Sequence, residues 1–174
     1  MTTLRSDAQR NLGRVLDAAA EVFAEQGPGA SVDEIARRAG VGHATVFRRF
    51  PTKDALIRAV VDVRIAELNT LADEALAAED AGAAFTEFVW AAAEIGAKQR
   101  GLDDCFLRCA DSPTLRALRK AGARIARRAQ EAGAIRSDIP PDEVGELIRA
   151  AIRVAGHGQW RRNVQIVLDG LQPR

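Results

Sequence analysis

The chain has 174 residues, of which 47% are hydrophobic and 28% are charged, and its formal net charge is +1. This composition provides enough apolar surface for a packed core and is ordinary for a soluble protein. No apolar run reaches the length of about 20 residues that spans a bilayer. The polar N-terminus lacks a secretory apolar segment. These features exclude a membrane protein and predict a soluble, cytoplasmic one.

Charge is distributed unevenly along the chain. Residues 1–60 hold nine Arg/Lys and seven Asp/Glu, a balance of +2, whereas residues 61–174 hold sixteen and seventeen, a balance of −1. The asymmetry is small, but it is consistent with an N-terminal part that faces nucleic acid.

The first predicted element is a helix from Asn11 to Gln26, preceded by a polar segment, residues 1–10, that we predict to be loose. Its apolar residues recur every three or four positions, which is typical of a helix with one buried face. The Gly27-Pro28-Gly29 sequence ends it.

Residues 31–54 predict two short helices joined by a tight turn, followed by the start of a third. Ser31 is placed to cap the first helix, with Glu34 reaching back to complete a capping box. Gly40 ends that helix, since glycine adopts the left-handed conformation at little cost. The second helix, about His43 to Phe50, places Val46 and Phe50 in the core.

A basic, hydroxyl-bearing second helix is what major-groove recognition requires. An ordinary helical hairpin with a solvated charged face has the same spacing, so spacing alone leaves both interpretations open. The side chains expected on the exposed side are His43, Ala44, Thr45, Phe47, Arg48 and Arg49.

The segment resembles the DNA-binding domain of the TetR family of transcriptional regulators. Ten positions match the family pattern or nearly match it: Ser31, Ile35, Ala36, Ala39, Gly40, Val41, Thr45, Phe50, Lys53 and Leu56. Four positions depart from it: Gly42 replaces serine, Ala44 replaces glycine, and Phe47 and Arg49 each replace tyrosine. The resemblance implies operator binding, and the predicted DNA contacts are Ser31, His43, Ala44, Thr45, Phe47, Arg48, Arg49, Thr52 and Lys53.

The rest of the chain predicts further helices and no strands. A long helix runs from about Lys53 to Ala78, and others cover about 83–100, 113–132, 142–156 and 159–170, with a short helix or turn at 105–110. We therefore predict an all-α fold of about nine helices. Residues 1–55 form the predicted helix-turn-helix domain, and residues 56–174 form a helical effector-binding and dimerisation domain.

A small-molecule site is predicted inside the second domain, because repression must be released by something. The bulky or soft residues available to line it suit an apolar or aromatic effector. The simpler alternative is that the same residues only fill the core of the domain. The candidates are Phe85, Phe88, Val89, Trp90, Phe106 and Cys109.

The resemblance also implies a homodimer that binds a palindromic operator and uses the last two helices as its interface. Independently, apolar side chains cover much of the circumference of the first of these helices, and the small ones among them permit close approach of a partner: Ala150, Ala151, Ile152, Val154 and Ala155. The predicted interface residues are Leu147, Ala151, Ile152, Ala155, Val164, Val167 and Leu168.

No nucleophile–base set, carboxylate pair or phosphate-binding loop is recognisable, so we predict neither an enzyme nor a cofactor or metal site. Cys105 and Cys109 leave open a redox or metal sensor, although burial as small residues is the simpler interpretation. A helical protein-interaction module is the other alternative. The sequence predicts a ligand-responsive transcriptional repressor.

Overall fold

The computed structural model describes residues 2–98, 113–154 and 159–173. Within these ranges the protein has eight helices and no strand, which confirms the all-α prediction. The predicted short helix or turn at 105–110 lies outside them. The helices are α1 (Thr2–Gln26), α2 (Val32–Ala39), α3 (His43–Arg49), α4 (Lys53–Ala77), α5 (Ala81–Lys98), α6 (Pro113–Glu131), α7 (Pro141–Val154) and α8 (Trp160–Gly170).

The prediction that residues 1–10 are loose is wrong, because α1 already begins at Thr2. Neither glycine nor proline occurs before Gly13, so nothing in the segment breaks a helix that continues from the apolar stripe. The helix ends where predicted. Gly27 has φ 73° and its N–H donates to the Phe23 carbonyl.

The predicted capping box at α2 is also wrong, although Ser31 does cap the helix. The Ser31 hydroxyl accepts from the Asp33 N–H at 3.2 Å, two residues on. Glu34 does not reach back, because its carboxylate binds the guanidinium of Arg37 at 2.6 and 2.9 Å. An arginine one turn further along therefore attracts this side chain more strongly than a backbone N–H does.

The chain divides into two compact units, the first running to Val63 and the second comprising Arg64–Ala97 and the described residues from 113 onward. In the first, α1 packs on α2 and α2 on α3. The predicted domain boundary at residues 55 and 56 stays a prediction. Fully buried side chains of this unit include Val22, Phe23, Ile35, Val46, Leu56 and Val60.

The core of the second unit is formed by α5, the later part of α4 and the last three helices. It includes Phe85, Val89, Ile125, Val144, Trp160 and Val164. No helix in the described ranges is long and apolar enough to cross a membrane.

One side chain secures the end of α4 in this unit. The guanidinium of Arg128, on α6, donates to the carbonyls of Ala75, Leu76 and Ala78 at 2.8 to 3.0 Å. The last carbonyls of a helix have no partner inside it, so Arg128 supplies the bonds that end α4.

Candidate nucleic-acid interface

The helix pair α2–α3 is joined by a turn of three residues, Gly40 to Gly42. Gly40 has φ 65°, and the Val41 N–H donates to the Ala36 carbonyl at 3.0 Å, closing the end of α2. Val46 and Phe50 face inward and are buried. The opposite side of α3 is consequently available to a partner.

Five predicted contact residues are exposed on this side: His43, Ala44, Phe47, Arg48 and Arg49. Thr45 is half-buried. Phe47 is 39% exposed, which is unusual for a large apolar side chain. The side therefore combines one exposed aromatic ring, two arginines and a short alanine that allows close backbone approach.

Arg48 and Arg49 have no hydrogen bond or ion pair with any described residue. The arginines of α2 differ, because both are paired. Arg38 binds the carboxylate of Glu25 at 2.7 and 2.8 Å, and Arg37 binds Glu34. Of the four arginines on α2 and α3, the two on α3 therefore offer uncompensated charge to a phosphate or a guanine.

These pairings shift the pKa values of the groups involved. The hydrogen bond from Arg38 lowers the pKa of Glu25, and that from Arg37 lowers the pKa of Glu34. The same bonds raise the pKa of both arginines. The four side chains form a cluster that links the end of α1 to α2, and α2 in turn packs on α3.

His43 has two close neighbours. Its Nδ1 lies 3.2 Å from Asp33 Oδ1 on α2, and its ring makes an edge contact with Phe47, with centroids 4.5 Å apart and planes at 70°. Sequence reasoning identified His43 and Phe47 but missed Asp33. The one available signal was an acidic residue in the first turn of the helix that precedes α3.

Thr52 and Lys53 lie at the start of α4. The Thr52 hydroxyl accepts from the Ala55 N–H at 3.1 Å, as expected for a cap. The half-buried Lys53 donates from Nζ to the Pro28 carbonyl at 3.0 Å. An ammonium has three protons, so this bond leaves donors for a phosphate while fixing the position of the side chain.

A groove of about 460 Å³ lies in the second unit, between the start of α5, the α6–α7 turn and α8. Of the predicted effector residues, Phe85 and Trp90 line it. Val89 is buried in the core and Phe88 is half-buried, and neither lines the groove. Phe106 and Cys109 lie outside the described residues. The other residues lining the groove are Gly82, Ala83, Thr86, Glu87, Ala134, Ile135, Gln165, Leu168 and Gln172.

The predicted interface residues differ in how much of each side chain is exposed. Leu147 is 44% exposed, and Ala151, Ile152 and Val167 are half-buried. Val164 and Leu168 are buried in the core of their own chain. Ala155 lies outside the described residues. Sequence reasoning missed Ile166, which is 61% exposed on α8, because it looked for a stripe facing the core.

In the described ranges no group of three His, Cys, Asp or Glu side chains could hold a metal ion. Cys105 lies outside those ranges together with Cys109.

Comparison with known proteins assigns both parts of the chain. Residues 15–60 match the family model described as bacterial regulatory proteins, tetR family. Residues 80–173 match the one described as transcriptional regulator SbtR-like, C-terminal domain. A transcriptional repressor of helix-turn-helix type from Mycobacterium tuberculosis is 53% identical over 49 residues, 28% of this chain and 26% of that protein. This curated relative is therefore matched over about a quarter of its length.

Two solved structures match nearly the whole chain. A TetR transcription regulatory protein from Mycobacterium vanbaalenii has a TM-score of 0.76 and 35% identity, covering 97% of this chain and 99% of that one. A TetR transcriptional regulator from Streptomyces coelicolor has a TM-score of 0.73 and 29% identity, covering 92% and 98%. With both family models matched and a relative of this identity covered end to end, the chain belongs to the TetR family of bacterial regulatory proteins.

Proposed function

We propose that the protein represses transcription by binding a palindromic operator as a homodimer, with α3 in the major groove. The observation that carries this proposal is the difference between its arginines. Arg48 and Arg49 on α3 are exposed and have no partner among the described residues, whereas Arg37 and Arg38 on α2 are neutralised by glutamates. A surface that leaves two cations unpaired beside a short alanine suits a polyanion.

A pair of matched variants tests the placement of α3. Arg48→Ala should weaken binding to the DNA upstream of the protein's own gene and relax the preference at one base pair by about fivefold or more. Arg37→Ala removes the same charge from the same unit, but that guanidinium is already paired with the Glu34 carboxylate, so operator affinity should change little. Equal losses in the two variants would contradict the placement, and so would full affinity after Arg48→Ala.

Dimerisation follows from the size of the recognition element, since a helix of seven residues covers few base pairs. The proposed contact surface is formed by α7 and α8. It is supported by Leu147 and Ile166, the exposed large apolar residues of these two helices in the described ranges. Contact with a second copy would remove the apolar surface of these side chains from water and so stabilise a dimer.

An apolar or aromatic effector is proposed to bind in the groove beside Phe85 and Trp90. Trp90 lies 6.3 Å from Trp160, centroid to centroid, so a ligand there should change tryptophan fluorescence. The effector can release DNA only by its difference in affinity between the DNA-bound and free conformations. Compounds that alter fluorescence should therefore be tested for an effect on operator affinity. Hits that leave operator affinity unchanged would contradict the coupling.

A further inference from the structure

The groove beside Trp90 has one formal charge among the described residues that line it, and that charge is negative. It belongs to Glu87, an exposed residue of α5 whose carboxylate has no hydrogen bond or ion pair with any described residue. Ala83, Glu87 and Trp90 stand at positions i, i+4 and i+7, so they lie on one face of α5. The carboxylate and the indole ring therefore border the same space.

The N-terminus of α5, which also borders the groove, is already occupied by a carboxylate. The first N–H groups of a helix attract anions, and here Asp80 takes that place. Its Oδ1 accepts from the N–H groups of Gly82 and Ala83 at 3.0 and 2.9 Å. Both of these residues line the groove. The helix end consequently adds a second negative charge beside the groove instead of a site for an anionic ligand.

The α8 side of the groove has a carboxylate next to it as well, because Gln165 Nε2 donates to Asp169 Oδ1 at 2.7 Å. Two arginines belong to the same walls, but neither lines the groove. Arg136 binds the carboxylate of Asp138 at 2.5 and 2.6 Å. Arg161 lies over the ring of Trp160, 4.4 Å from its centroid. The unpaired charge in the groove is therefore that of Glu87.

We propose that the effector of this groove is an organic cation with an apolar or aromatic body. The body contacts Phe85, Trp90 and Leu168, and the positive group lies beside the Glu87 carboxylate. The face of an indole ring also attracts a cation, so Trp90 and Glu87 favour the same ligand charge. This inference rests on the proposed function for the groove as the effector site and adds the charge of the ligand.

Two ions of the same shape and opposite charge, tetraphenylphosphonium and tetraphenylborate, test the inference. Calorimetric titration of the full-length protein without DNA measures the affinity for each ion. The wild type should bind the cation about five- to tenfold more tightly than the anion. The ratio should shrink in about 0.5 M salt, which screens the attraction to an exposed carboxylate.

A matched pair of variants assigns the preference to one side chain. Glu87→Gln keeps the size of the side chain but removes its charge, so it should weaken cation binding about threefold and strengthen anion binding. Glu74→Gln removes an exposed carboxylate of α4 that does not line the groove, and it should change neither affinity. Melting curves of both variants establish that they are folded.

The inference is overturned if the two ions bind equally, if the anion binds more tightly or if neither binds. It is overturned as well if Glu87→Gln and Glu74→Gln have the same effect, since the preference would then come from the overall charge of the unit. Mobility shifts with the upstream DNA separate this result from the proposed function. A wild type that binds the DNA without preferring the cation loses only the inference. One that prefers the cation through Glu87 but binds no DNA loses only the proposed repression.

Discussion

At the scale of single residues, the partners of charged side chains decide which of them can meet DNA. Four arginines lie within thirteen positions of one another on α2 and α3, and the sequence alone does not distinguish them. The distinction arises because α1 brings Glu25 to Arg38 from thirteen residues away. Sequence spacing could suggest the pairing of Arg37 with Glu34, three residues apart, but not this one.

Lys53 combines two roles that one variant can separate. Lys53→Met retains the aliphatic stem but removes the ammonium, so it loses the bond to the Pro28 carbonyl and about 1 kcal/mol of unfolding free energy. If Lys53 also binds a phosphate, the slope of log affinity against log salt should fall by roughly one. Lys120→Met, on α6, should leave the slope unchanged. A stability loss with an unaltered slope would assign Lys53 to the fold alone.

The pairing of Glu25 with Arg38 makes stability depend on acidic pH. Because the folded-state pKa of Glu25 lies below its ordinary value of 4.5, the stabilisation is complete above that pH and is lost as the pH falls through the lowered value. The difference in melting temperature between wild type and Glu25→Gln should therefore be largest at pH 6 and shrink toward pH 3. For Asp62→Asn, which removes an exposed carboxylate without a partner among the described residues, the difference should stay constant.

At the scale of elements, the turn between α2 and α3 depends on one left-handed residue. Gly40→Ala forces a side chain into φ 65° and should cost about 1 kcal/mol of unfolding free energy. Gly13→Ala in the interior of α1, where an added methyl meets nothing within 4 Å, should instead stabilise the protein by up to about 1 kcal/mol. Chemical denaturation of both variants gives the comparison. A stabilising Gly40→Ala would contradict the assigned turn.

Helix positions and caps were largely predictable, because periodicity, glycine and proline are local signals. Helix α2 ends at Gly40 as predicted, and α4 starts at Lys53 as predicted. The start of α1 was not predictable, since its first ten residues carry no apolar stripe. The groove beside Trp90 was not predictable either. It forms where α8 meets the start of α5, and residues about eighty positions apart cannot be paired from periodicity.

At the scale of the whole molecule, the proposed homodimer predicts how surface substitutions behave. Leu147→Arg and Ile166→Arg place charges on exposed positions of α7 and α8, so each chain should fold normally but sediment as a monomer and lose operator affinity. Val63→Arg, at an exposed apolar residue of α4, is the control and should remain dimeric. A monomeric wild type would contradict the assembly.

The three hydrogen bonds from Arg128 to the carbonyls of Ala75, Leu76 and Ala78 come from a single guanidinium. They are therefore made or lost together, and the last turn of α4 is completed only where α6 packs against it.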